Sequence, residues 1–139
     1  LVDAMAVNFV LHPEDLEVVV ASNLLADILS DLGSALAGSL GIAASANLNP
    51  DGRYPSMFES VHGSAPDIAG QGIANPIGAI GSAALMLDNF GLKDEAMQLN
   101  NAIKKATDSG ALTQDIGGDT TTEEMTNAII QNLNSKIVK

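Results

Sequence analysis

At 139 residues, 46% of them hydrophobic, the chain is long enough for one domain with a real core and too apolar for disorder. Its formal charge of −11, from six basic against seventeen acidic residues, disfavours nonspecific binding to nucleic acid or to an anionic membrane, and it repels acidic substrates unless a metal or further cations compensate. No cysteine is present, which excludes disulfides and thiol nucleophiles and fits a reducing, cytoplasmic setting. With three Phe, one Tyr and no Trp, the core must be filled by Leu, Ile, Val, Met and Ala. No apolar run is long enough to span a membrane and no basic leader opens the chain. The opening LVDAMAVNFVL lacks an initiator Met and is already periodic, so a segment upstream is expected.

Residues 3–11 place Ala4, Val7 and Leu11 at helical spacing, with Asp3 at the head as a candidate N-cap. His12 reads as a C-terminal cap or surface residue, because no partner completes a histidine metal site. Residues 16–21 contain Val18, Val19 and Val20 in succession, the pattern of a buried strand. Ser22 or Asn23 then opens a helix over 23–36, with Leu24, Ile28, Leu32 and Ala35 as its apolar stripe. In that helix Asp27 and Asp31 stand one turn apart on one face. Like charges so spaced destabilise a helix by a few tenths of a kcal/mol, and a divalent cation would reverse the sign. The pair reads either as a solvated acidic face or as two ligands of a hard ion such as Mg²⁺ or Mn²⁺, completed by further oxygens.

Residues 37–49 are small and suit a hinge or close-packed crossing, anchored by Ile42 and Leu48. NPDG at 49–52 predicts a turn. Arg53 reads as a surface cation and Tyr54 as a core-edge residue. Residues 57–61 predict a short strand, with Glu59 either a solvated edge carboxylate or an orienting group near a cofactor. The next stretch, HGSAPDIAGQGIANP at 62–76, holds a histidine, three glycines, two prolines, an aspartate and an asparagine. That mix builds neither a long helix nor a central strand, so the loop is a candidate for close backbone approach to a ligand.

Residues 77–90 predict a helix whose internal Gly78 and Gly81 cost about 1 kcal/mol each relative to Ala, with close packing as the compensation. Met86, Met97 and Met125 read as core fillers. A further helix over 92–106 presents Ala96, Leu99, Ile103 and Ala106, and a small-residue connector follows over 108–119. In TTTEE at 120–124, Thr120 or Thr121 is placed to cap a last helix ahead of an acid three positions on. That helix continues through Met125, Ile129, Ile130 and Leu133.

Taken together, VDAM at 2–5, SNLLADILSD at 22–31, GSLGIAASANLNP at 38–50, the 62–76 loop and GGDTTT at 117–122 resemble the metal-dependent β-decarboxylating dehydrogenases. That family includes isocitrate, isopropylmalate, tartrate and D-malate dehydrogenases, and the likeness is strongest to the tartrate and D-malate branch, with isopropylmalate dehydrogenase next. The resemblance implies an α/β chain with a partial isocitrate/isopropylmalate dehydrogenase-like fold, three-layer α/β/α. It implies the C-terminal portion of such an enzyme: residues 1–37 end the smaller, dimer-forming and metal-holding domain, and residues 38–139 return to the larger cofactor-binding domain.

By the same resemblance Asp27 and Asp31 coordinate Mg²⁺ or Mn²⁺, and Asp3 matches the aspartate contributed across the interface of a homodimer. His62, the Gly63-Ser64-Ala65 backbone, Asp67, Ile68 and Asn75 match the adenosine side of an NAD site, with His62 on the adenine side and Asn75 binding the adenine edge. There Asp67 would accept from the ribose hydroxyls, and a 2′-phosphate would meet like charge. Two positions depart from the family pattern: Ala26 stands where Gly usually precedes the first metal aspartate, and Glu59-Ser60 replaces a commoner Glu-Pro. The family's catalytic lysine and tyrosine and its substrate-clamping arginines have no counterpart in these 139 residues. The parent enzyme is thus expected to decarboxylate a small 2-hydroxy dicarboxylate with NAD, and the chain alone to be inactive. The rival expectation is a noncatalytic nucleotide-binding or oligomerisation fragment with exposed apolar edges.

Overall fold

The structure, a computed structural model, describes residues 1–134. It divides into two compact units, Leu1–Leu40 and a second that begins at Gly41. Its class is mixed α/β, with a small antiparallel sheet flanked by helices. This is the class expected of a partial isocitrate/isopropylmalate dehydrogenase-like α/β/α fold.

In the first unit, helix α1 (Val2–Leu11) packs on helix α2 (Asn23–Leu36), and a 3₁₀ turn (Pro13–Asp15) follows α1. His12 ends α1 by donating its backbone N–H to the Asn8 carbonyl. Asp3 lies inside the first turn of α1, not at its cap, which is Leu1. A carboxylate there still faces the positive end of the helix, so the local signal was right and the register off by two residues. The α2 boundaries match those read from the sequence, but the inward face does not. Leu29 is the buried leucine and Gly33 faces Phe9, whose Cε1 would lie 3.3 Å from an added Cβ. Leu24 and Ile28 are exposed at 71% and 56%. This helix is apolar on two sides, and periodicity alone did not say which side α1 would cover.

The predicted strand at 16–21 is absent. Val18 and Val20 are 87% and 95% exposed, and the segment joins no ladder among the described residues. A β-branched run becomes a strand only where a neighbour accepts and donates along its edge, and here none does.

In the second unit, strand β1 (Ala44–Asn47) pairs antiparallel with strand β2 (Met57–Ser60), Ala44 opposite Ser60 and Asn47 opposite Met57. Only β2 was foreseen, because ASAN lacks the bulky residues that signal a strand. The 49–52 turn closes this hairpin: Gly52 N donates to the Asn49 carbonyl and Asp51 N to Asn49 Oδ1. Helix α3 (Ile77–Asn89) lies across both strands. Its glycines permit that contact, since a Cβ on Gly78 would lie 2.9 Å from the Gly41 carbonyl oxygen and one on Gly81 would lie 3.0 Å from Ala44 Cβ. Ser82 stitches the layers, accepting from Ser45 N at 3.3 Å and donating to the Glu59 carbonyl at 2.6 Å.

Helix α4 (Lys93–Asp108) packs on α3, and helix α5 (Thr122–Asn134) on α4. Between them Ile77, Ala102, Ala106, Met125 and Ile129 form the core. Alanines on α4 let the helices approach closely, while Met125 and Ile129 supply volume. Met97 and Tyr54, expected at or near the core, are 56% and 70% exposed. Alanine takes the inward positions of α4 beside Met97, and Tyr54 sits in the loop beyond the hairpin turn. Among the described residues no helix is long and apolar enough to cross a membrane.

The start of α5 is the reciprocal cap that its sequence predicted. Thr121 donates from N and Oγ1 to Glu124 Oε2 at 2.9 and 2.7 Å, and Glu124 N donates to Thr121 Oγ1 at 3.2 Å. Bonds from the Thr121 backbone, and then from its hydroxyl, hold the Glu124 carboxyl below its ordinary 4.5. A lowered folded-state value adds stability above the unfolded value and loses it as pH falls through the folded one. Glu124→Gln is therefore expected to melt earlier than the parent chain at neutral pH, with the gap closing in acid. A gap that persists unchanged across an acid series of thermal melts would contradict this assignment.

Candidate functional site

In the first unit, Asp27 and Asp31 are both exposed on α2. At about 100° per residue they share the outward side of the helix with Leu24 and Ile28, opposite Leu29. Ser30 donates to the Asp27 carbonyl at 3.0 Å and Ser34 to the Ser30 carbonyl at 2.8 Å, so both hydroxyls turn back to the helix backbone and leave the carboxylates to solvent. Two hard oxygen donors one turn apart suit Mg²⁺ or Mn²⁺ in kind, though not in number. Asp3 is exposed near the start of α1, and the described residues contain no group of three or more His, Cys, Asp or Glu side chains able to enclose a metal. Asp3, Asp27 and Asp31 are thus not gathered into one cluster within this chain.

In the second unit, the 62–76 loop leaves β2 through Val61, whose N–H donates to the Ala43 carbonyl. The half-buried His62 holds Nδ1 3.0 Å from the Gly63 carbonyl oxygen. A carbonyl only accepts, so this contact is a hydrogen bond in the tautomer with the proton on Nδ1, which leaves Nε2 as an acceptor. Gly63 and Ser64 are exposed, and a Cβ added to Gly63 would meet nothing within 4 Å, leaving the backbone open to a ligand. Ala65 has φ +40, the only positive value outside glycine among the described residues. For a residue with a Cβ that conformation costs roughly 1–2 kcal/mol, the kind of local strain that gathers at ligand sites.

A turn follows in which Ile68 N donates to the Ala65 carbonyl and Gln71 Nε2 to the Asp67 carbonyl, so the Asp67 backbone is tied while its side chain stays exposed. Gly70 and Gly72, with φ of +77 and +69, then reverse the chain.

Asn75 is 8% exposed and its side chain is engaged at both ends. Oδ1 accepts from Ile77 N at 2.9 Å, capping the start of α3, and Nδ2 donates to Asp115 Oδ2 at 3.0 Å. Asp115 also accepts from the fully buried Thr113 at 2.6 Å. From the start of α5, Thr122 N donates to the Gly72 carbonyl at 2.8 Å and its hydroxyl to the Ala74 carbonyl at 2.5 Å. Thr113, Asp115 and Thr122 went unnoticed as functional positions in the sequence. The available signal was GGDTTT, of which Thr122 is the last residue; nothing local marked Asp115.

An open groove of about 540 Å³ lies elsewhere in this unit, walled by Ile42, Ala44, Leu85, Met97 and Ile103 among others and taking no wall from the 62–76 loop. Its lining is mostly apolar, with Asp88, Lys93, Asn100 and Asn101 as its polar residues.

Residues 1–129 match the family model described as isocitrate/isopropylmalate dehydrogenase. A probable tartrate dehydrogenase/decarboxylase of Bacillus subtilis is 56% identical over 132 residues, covering 95% of this chain and 37% of that protein. An isocitrate/homoisocitrate dehydrogenase of Thermus thermophilus is 50% identical over 135 residues, covering 97% of this chain and 40% of its own length. Among solved structures, the isocitrate dehydrogenase of Methylococcus capsulatus superposes with a TM-score of 0.88 at 41% identity, over 95% of this chain and 39% of that one. The chain therefore spans well under half the length of the relatives it matches.

Proposed function

The chain belongs to the isocitrate/isopropylmalate dehydrogenase family, and on that footing we propose that it is part of an NAD-dependent, Mg²⁺- or Mn²⁺-dependent oxidative decarboxylase of a small 2-hydroxy dicarboxylate, of the D-malate or tartrate type. Residues 1–37 belong in this reading to the smaller, dimer-forming domain and residues 38–139 to the larger cofactor-binding domain, both from the C-terminal portion of the enzyme. The observation that carries the reading is the 62–76 loop, where an open Gly63 backbone and a strained Ala65 precede an exposed acid and a buried Asn75. Tartrate dehydrogenases among the near relatives support the substrate class.

His62 and the 63–65 backbone receive the adenosine moiety, with Ile68 packing beside it and Asn75 holding the far end of the loop to the start of α3. Asp67 accepts from the ribose hydroxyls and repels a 2′-phosphate, which selects NAD over NADP. When bound, NAD supplies the hydride acceptor. Asp27 and Asp31 hold the divalent cation, and Asp3 of a second copy completes the set across a homodimer. When bound, the cation supplies positive charge beside the substrate's hydroxyl and carboxylate. The exposed Leu24 and Ile28 beside the two acids fit a helix face that a second subunit covers. No residue of this chain takes the acid-base role, so the 139 residues alone bind without turning over.

Steady-state NADH formation with D-malate, tartrate and isopropylmalate tests the reading. The complete enzyme is expected to reduce NAD with D-malate or tartrate in the presence of Mn²⁺, and to prefer NAD to NADP. The isolated chain is expected to show no turnover. Preference for NADP, or turnover confined to isopropylmalate, would overturn the specific assignment, and robust activity of the isolated chain would overturn its incompleteness.

A further inference from the structure

The 72–77 segment is held from outside by two brackets that come from one stretch of sequence about forty residues away. Asp115 takes hold of Asn75 Nδ2 at 3.0 Å and is itself fixed by the Thr113 hydroxyl at 2.6 Å. Thr122 takes hold of the Gly72 and Ala74 carbonyls with its N–H and hydroxyl. The two brackets are tied to each other through the 112–120 turn, where Thr120 N donates to the Leu112 carbonyl and Leu112 N to Thr120 Oγ1. Between them, three backbone or side-chain groups of the loop's second half are satisfied by side chains and backbone of this one stretch.

A glycine-bearing loop with two left-handed turns at Gly70 and Gly72 has many alternative conformations, and ordering it at the moment of binding weakens affinity. We infer that Asp115 and Thr122 are positioning residues for the nucleotide site, clamping residues 72–77 so that the 62–76 loop is already shaped before the dinucleotide arrives. This rests on the NAD reading given above. Neither residue is assigned contact with the cofactor; each acts through the loop. The Asp115–Asn75 bond carries a full charge on its acceptor, which makes it the stronger bracket. Thr122 serves as both the first residue of α5 and the loop's tether, so the Thr121–Glu124 cap just ahead of it holds the tether in place.

Two measurements on this chain separate the clamp from the cofactor reading. Amide hydrogen exchange without nucleotide is expected to speed up at Ile77, the donor to Asn75 Oδ1, and across 72–75 in Asp115→Ala and Thr122→Val, while amides in the middle of α4 keep their parent rates. Calorimetry with NAD is expected to show affinity reduced about tenfold or more in the same two variants. Thr122→Ser, which keeps the hydroxyl, and Asp115→Asn, which keeps an acceptor for Asn75, are expected to remain within about threefold of the parent chain. Ile129→Val, a core deletion in α5 that removes none of the bracket hydrogen bonds, controls for lost stability and is expected to leave affinity unchanged at a temperature well below melting. Binding indifferent to Asp115→Ala and Thr122→Val overturns the clamp and spares the NAD reading, as does a loss that Ile129→Val reproduces. A parent chain that binds no NAD, even with a protected Ile77 amide, overturns the NAD reading and the positioning role with it.

Discussion

Asp31→Asn is expected to abolish stabilisation of the protein by Mn²⁺ and, in the complete enzyme, to lower turnover by about a thousandfold, the equivalent of several kcal/mol of charge stabilisation. The argument turns on a sign. Asp27 and Asp31 stand one turn apart on the exposed side of α2, where two like charges destabilise the helix by a few tenths of a kcal/mol when nothing lies between them. Removing one charge should raise the melting temperature slightly in the presence of a chelator. With Mn²⁺ added, the parent should gain stability by mass action and the variant should not, so the order of the two melting temperatures reverses. A merely solvated acidic face gives the first effect without the second. Thermal melts of both proteins with chelator and with Mn²⁺ check this directly, and an unreversed order would remove the metal role from Asp31.

The second large effect is structural and reaches the 62–76 loop indirectly. A Cβ on Gly118 would lie 2.0 Å from the Leu112 carbonyl oxygen and 2.5 Å from Leu112 Cβ. Backbone cannot yield as a flexible side-chain tip can, and this backbone is pinned: Leu112 bonds to Thr120 in both directions and Gly118 N donates to the Thr113 carbonyl. Gly118→Ala is expected to destabilise the chain by about 3 kcal/mol or more, with the melting temperature falling by about 12 °C or more. Gly117, its neighbour, has φ +88 but open space around it, so Gly117→Ala should cost only the roughly 1–2 kcal/mol of a left-handed alanine. If the two variants melt together, the crowding argument fails. The 112–120 turn carries Thr113 and Asp115, so the Gly118 variant should also expose the Ile77 amide.

How much was legible in advance depended on distance along the chain. The Thr121–Glu124 cap, the 49–52 turn, the limits of α2 and the need for close packing at Gly78 and Gly81 could all be read, because each is set within a turn or two of its own residues or by the absence of a Cβ. Ambiguity began wherever a residue had two plausible neighbours. Leu24, Ile28 and Leu29 are equally apolar, and only the position of α1 decided that Leu29 would be the buried one. The Val18–Val20 run has every intrinsic property of a strand and no ladder partner among the described residues, whereas ASAN, with none of those properties, became β1 because β2 and the glycine face of α3 were there to receive it.

The chemistry followed the same division. The run of family-like segments was enough by itself to indicate the isocitrate/isopropylmalate dehydrogenase family, because motif content is a property of the chain, and the roles proposed for Asp27, Asp31 and Asp67 rest on that resemblance. Which residues shape the loop was decided only by tertiary structure. Asn75 and Asp115 are 40 residues apart and Thr122 is 48 from Ala74, so no local pattern could have joined them. The packing of α5 on α4 brings the GGDTTT stretch back against the loop, and a side chain acquires a positioning role there from the polar groups it meets, not from its own neighbours in sequence.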